Sequence, residues 1–171
     1  HIPPGRVCSR RRAAFSAPSA ELRPLPLLGL FYRGSMDLFG PMPASARGHV
    51  YGLVAIEHGS RWLQLEPLQD KTAELTCAVL LRLVANYGVC AEMETDGGKE
   101  WQGIFHQTCV ELRIDHRVTS RDHPQANGLA ERAVATTSQA IDRMCLQAKG
   151  HEDWDRYCSS VQLGYNTSKQ K

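Results

Sequence analysis

The chain has 171 residues, 42% of them hydrophobic and 22% charged, with a net charge of +2. That length suits one domain with a real core, and no repeat or low-complexity tract interrupts it. The charge is uneven: residues 1–33 hold six arginines and one acid, so the remaining 14 basic and 17 acidic residues leave the rest slightly negative. The compact part is therefore no nucleic-acid binder by overall field, and any such function has to rest on a site.

Residues 1–33 read as an irregular basic arm, because Pro3, Pro4, Pro18, Pro24 and Pro26 break any helix. Arg10-Arg11-Arg12 is either a phosphate-binding or nuclear-targeting patch or a plain basic tail. The apolar run LRPLPLLGLFY, 22–32, is too short and too Pro-broken to span a membrane. A short strand is expected around Met36 to Phe39, ended by Gly40-Pro41. Two further strands, 49–56 and 61–68, are joined by Glu57-His58-Gly59-Ser60, a natural hairpin connection. The spacing then predicts a helix over 70–87, capped by Asp70 or Thr72 and stopped by Gly88. A strand over 91–95 delivers Asp96 into the turn Gly97-Gly98. A second helix fits 100–113, with Trp101, Ile104, Phe105, Cys109 and Leu112 on one side. A short strand, 115–120, leads into the polar stretch SRDHPQANGLAER and a third helix over about 128–148, for which Asn127 is a good N-cap. A last helical stretch runs from Trp154 to Leu163.

The order β-β-β-α-β-α-β-α-α implies a mixed sheet with helices on both faces, in a three-layer α/β domain. The six cysteines are scattered, with no C-x-x-C, and none of the seven histidines pairs with one at finger-like spacing. That pattern gives no disulfide framework and no structural zinc site, and it suits a reducing compartment. Trp62 and Trp101 read as core or partner-surface aromatics. The chain starts on His1 and stops at NTSKQK without a helix-ending signal, so both ends read as cut.

Three acids stand out by position: Asp37 on the first strand, Asp96 at the end of the fourth and Glu131 opening the third helix. With strands one and four as neighbours, the two aspartates lie side by side and the third helix brings Glu131 over them. On that helix Ala130, Val134, Ile141, Cys145 and Ala148 make an apolar stripe, and Glu131 falls about 80° from its centre. Converging carboxylates repel and raise one another's pKa unless a cation compensates, and Mg²⁺ prefers such oxygen ligands. Two such ions flanking a phosphorus can activate the attacking oxygen and stabilise the leaving one. Spacing alone leaves the bland reading open, namely three independent surface acids, with Glu131 simply favoured at a helix N-terminus.

MDLFGPMPASARGHVYGLVAIEHGSRWLQLEPL, ETDGGKEW, HPQANGLAER and the late Trp154 and Tyr165-Asn166-Thr167 resemble the integrase core of gypsy-type LTR retrotransposons, relatives of retroviral integrases, over about residues 35–167. The resemblance implies an RNase H-like three-layer fold with a mixed five-stranded sheet, over a core of 34–171 truncated at its C-terminus. It implies a catalytic and metal-binding triad of Asp37, Asp96 and Glu131 holding two Mg²⁺ or Mn²⁺. The implied reactions are trimming of a DNA 3′ end and attack of that 3′ hydroxyl on target DNA. His123, Gln125, Asn127 and Arg132 would touch the DNA, with 123–128 a mobile loop. The implied partners are element ends, target DNA and further copies of the core, with no membrane and no small-molecule substrate. The implied place of action is the nucleus, reached through a cytoplasmic particle.

The sequence departs from the pattern in several places. The 34 residues between Asp96 and Glu131 are one fewer than usual, and Gly97 replaces the usual Asn, which loosens the turn that aims Asp96. After Arg132 comes AVATTSQA, almost chargeless where the family presents basic groups to DNA. Residues 1–33 read as retaining only Cys8 of a zinc domain and its linker, and the family's C-terminal DNA-binding module reads as missing. These features favour one rival, a degenerate or co-opted core that folds without turnover; a second, an RNase H-like nuclease that only hydrolyses, is opposed by HPQANGLAE.

Overall fold

The structure, a computed structural model, describes residues 29–119, 128–148, 150 and 152–168. Five strands, β1 (Arg33–Phe39), β2 (Tyr51–Glu57), β3 (Leu63–Leu68), β4 (Glu92–Thr95) and β5 (Asp115–Val118), form one sheet in the order β3-β2-β1-β4-β5. The first three run antiparallel, while β1–β4 and β4–β5 are parallel. Strands one and four are therefore neighbours, which meets the condition under which the two aspartates lie side by side. The first strand starts at Arg33 rather than near Met36, because Gly34 leaves room for Met93 and Arg33 binds Glu92 across the pair.

Alternation along the strands sends two cores to opposite faces. Met36, Leu53, Ala55 and Met93 pack under α1 (Ala73–Tyr87) and α2 (Ile104–Glu111), together with Leu80 and Phe105. Phe39, Val54, Ile56 and Leu63 pack under α3 (Gly128–Ala148) and α4 (Trp154–Thr167), with Ile141 and Trp154 at the centre. Phe39 lies directly on Gly52, its partner in register, where any Cβ would meet the ring. Of the two candidate caps for α1, Thr72 accepts from Leu75 N–H, and Gly88 ends the helix at φ +98°.

Two expectations need correction. The helix expected over 100–113 is a 3-10 turn, Lys99–Trp101, followed by α2, because Gly103 takes φ +56° between them. The break turns Ile104 outward, while Trp101, Phe105 and Cys109 stay buried. On α3, Ala148 is exposed, and Ala133 and Thr137 fill the stripe instead. The last helix runs four residues past Leu163, to Thr167. Trp62 is exposed. The five described cysteines are all free and buried. No described helix is long and apolar enough to cross a membrane.

Candidate carboxylate site

The pairing of β1 with β4 sets the site. Arg33 faces Glu92 and Ser35 faces Glu94, and the Ser35 hydroxyl donates to Glu94 Oε2 at 3.3 Å. Side chains repeat every second residue along a strand, so the next step on the same face is Asp37 beside Asp96. Asp37 is half-buried and its Oδ1 accepts from Leu38 N–H at 2.8 Å. Asp96, just past β4, is exposed, and its Oδ1 accepts from Gly98 N–H at 3.0 Å, closing the turn. Gly97 does not take a left-handed φ, and a Cβ there would meet only Val118 at 3.9 Å, so the turn holds its shape without an Asn. Glu131 is exposed in the first turn of α3, the helix packed over β1 and β2.

The electrostatics tie these acids together. Asp37 is pushed up from 3.8 to about 6, first by burial, then by the charges of Asp96, Glu131 and Glu100 against the opposing Leu38 hydrogen bond. The sequence reading missed Glu100. It stands in the 3-10 turn and folds its carboxylate back over Gly98, where a Cβ would approach it to 2.6 Å. The signal was there in Gly-Gly-Lys-Glu, an acid one turn beyond a tight bend. The neighbouring acids on this face are treated differently: Arg33 reaches Glu92 at 2.6 Å and Glu94 at 3.4 Å, and Arg117 reaches Glu92 at 2.7 Å. Among the described residues no ion pair compensates Asp37, Asp96 or Glu131.

These donors are hard oxygens whose repulsion a divalent cation would relieve, so the set fits such an ion by chemistry. Among the described residues no three His, Cys, Asp or Glu side chains yet approach closely enough to hold one. Arg132 is exposed on α3, and its charge is felt at Tyr165 of α4. His123, Gln125 and Asn127, and with them the expected cap of α3, lie outside the described residues.

The integrase core domain family matches residues 32–124. The gypsy retrotransposon integrase-like protein 1 of Bos taurus is 22% identical over 134 residues, covering 78% of this chain and 26% of that protein. The chain thus spans about a quarter of that relative's length. The simian T-cell lymphotropic virus intasome in complex with PP2A regulatory subunit B56 gamma contains a chain that superposes with TM-score 0.70 at 17% identity, covering 82% of this chain and 50% of that one. The catalytic core domain of BIV integrase superposes with TM-score 0.65 at 19% identity, covering 82% and 86%. The RNase H-like fold expected from the sequence is the fold observed.

Proposed function

The chain belongs to the integrase core domain family, and we propose that it trims DNA 3′ ends and transfers them to target DNA through Asp37, Asp96 and Glu131. Membership implies the polynucleotidyl transferase superfamily; the specific reactions and residues are our reading. The observation that carries it is the parallel β1–β4 register through Ser35 and Glu94, which continued by two residues brings Asp37 next to Asp96, together with the charges of Asp96, Glu131 and Glu100 acting on Asp37.

In this reading Asp37, Asp96 and Glu131 hold two divalent ions, Mg²⁺ or Mn²⁺. When bound, such ions activate the attacking oxygen and stabilise the leaving one. The residues supply the rest. The sheet fixes Asp37, the Gly98 hydrogen bond holds Asp96, and the first turn of α3 carries Glu131. His123, Gln125, Asn127 and Arg132 contact the DNA, and the site acts in the nucleus. Further copies of the core supply an oligomer.

One observation favours a second reading, a core that folds without turnover. Beyond Arg132 the exposed positions Ala135, Thr136 and Gln139 of α3 are uncharged, so phosphate contacts there are few.

A branched DNA oligonucleotide with Mn²⁺ discriminates between them, because it asks little of flanking domains. Transfer by wild type that is lost in Asp96→Asn supports the first reading. No transfer by either protein, both shown to be folded, supports the second.

A further inference from the structure

On the other face of the sheet from the carboxylates, His106 of α2 and His116 of β5 meet nitrogen to nitrogen. Their Nδ1 atoms are 3.0 Å apart, with ring centroids 5.2 Å apart. Two imidazole nitrogens at that distance either share one proton or share something else with room for both lone pairs.

The surroundings fix how His116 presents itself. The Thr95 hydroxyl donates to the Asp96 carbonyl at 3.1 Å, so the proton on the 2.8 Å contact between Thr95 Oγ1 and His116 Nε2 comes from the ring. A neutral His116 then carries its hydrogen on Nε2 and a lone pair on Nδ1, aimed at His106. Phe105 packs edge-on against the His116 ring at 5.3 Å and holds its plane. Burial, and next the neighbouring His106, lower the His116 pKa and keep it in the neutral form. His106 is exposed, and the contact between the two rings lies at an exposed part of the surface.

We infer that His106 and His116 form a two-histidine site for a borderline transition-metal ion of the Zn²⁺ class, completed by water. A metal–imidazole bond is about 2.0–2.1 Å, so an ion bound equally to two nitrogens 3.0 Å apart subtends an angle of roughly 90°. That is the bite of two adjacent ligands. Thr95 supplies the outer hydrogen bond that metal-ligating histidines generally make through their second nitrogen. Imidazole selects Zn²⁺, Ni²⁺ and Cu²⁺, whereas the carboxylates on the far face suit Mg²⁺. The two sites therefore part by metal. A bound ion ties α2 to β5 behind Thr95, the residue whose hydroxyl holds the Asp96 carbonyl. The proposal stands independently of the integrase reading.

The test is a Zn²⁺ titration of the full chain carrying Asp96→Asn, which removes the carboxylate competitor, followed by NMR of the histidine ring nitrogens. The site requires the Nδ1 signals of His106 and His116 to move together and saturate at one equivalent, with millimolar Mg²⁺ leaving them in place. His106→Gln, at an exposed position that does not threaten folding, lowers the Zn²⁺ affinity at least tenfold. Thr95→Val, near in shape, lowers it roughly 10- to 100-fold in protein shown by melting to be folded. Unchanged Zn²⁺ affinity in His106→Gln, or movement of only one of the two rings, overturns the proposal.

Discussion

Asn166 brackets Leu63 on the outer edge of the sheet: its Oδ1 accepts from Leu63 N–H and its Nδ2 donates to the Leu63 carbonyl, both at 2.8 Å. The amide of α4 thereby imitates a sixth strand for one residue. Gln162 extends the pairing by accepting from Leu65 N–H at 2.9 Å. An edge strand with free backbone groups is a template for aggregation, and here a helix blunts it. Asn166→Leu strands two backbone groups and is expected to cost about 2 kcal/mol in urea unfolding, with more light scattering at equal concentration. An unchanged midpoint would show that water serves that edge as well.

Asp155 holds the loop between β1 and β2 onto the start of α4. Its Oδ2 accepts from Ser45 Oγ at 2.9 Å, Arg47 Nε at 2.7 Å and His49 Nδ1 at 2.5 Å, and the carboxylate is almost fully buried. The Arg47 hydrogen bond, followed by those of His49 and Ser45 against the opposing effect of burial, drives its pKa far below the usual carboxylate range. A depressed folded value gives stability that is present above the unfolded pKa, near 3.9, and lost as pH falls through the folded one. Asp155→Ala is expected to cost about 3 kcal/mol at neutral pH and to flatten the loss of stability below about pH 4. Urea curves at neutral and acid pH check both.

Gly97 offers a gain. Its backbone does not need glycine, and an added Cβ finds ordinary contact with Val118. Gly97→Asn is expected to raise stability by roughly 0.4–1 kcal/mol, by restricting the unfolded chain. Thermal melts measure it, and a loss would mean the turn is tighter than its dihedrals indicate.

Asp37 carries the opposite sign from Asp155. Its folded pKa, about 6, lies above the ordinary 3.8, so ionising it opposes folding. The metal-free protein therefore loses stability from this group as pH rises from about 4 to 6. Asp37→Asn removes that burden and is expected to stabilise the metal-free fold by on the order of 2 kcal/mol at pH 7, allowing for solvent screening, with no gain near pH 4. If the proposed function holds, strand transfer on branched DNA is expected to be lost in the same variant. An equal shift at both pH values would assign the effect to packing.

The mixed sheet with helices on both faces was legible because a hairpin followed by crossover helices leaves few right-handed ways to build one sheet, whereas the adjacency of β1 and β4 entered only as a condition. The bounds of α3 were legible from the polar loop before it and from its apolar spacing, and the elements that carry Asp37, Asp96 and Glu131 came from the element order. Gly103 was not legible as a break, since a single glycine inside a helical pattern is usually tolerated. Glu100 was hidden by that same misreading, which laid it along a helix instead of folding it back over Gly98. The clamp on Asp155 joins residues 106 to 110 positions apart, beyond the reach of any local pattern.

The most direct test of a shared carboxylate site is the pH titration of the Asp37 carboxyl carbon by NMR, with and without Mg²⁺, in wild type and Asp96→Asn. The expected result is a midpoint near 6 in metal-free wild type, a fall into the ordinary acid range with saturating Mg²⁺, and little Mg²⁺ response in Asp96→Asn. An Asp37 midpoint that saturating Mg²⁺ leaves unmoved in wild type would contradict it.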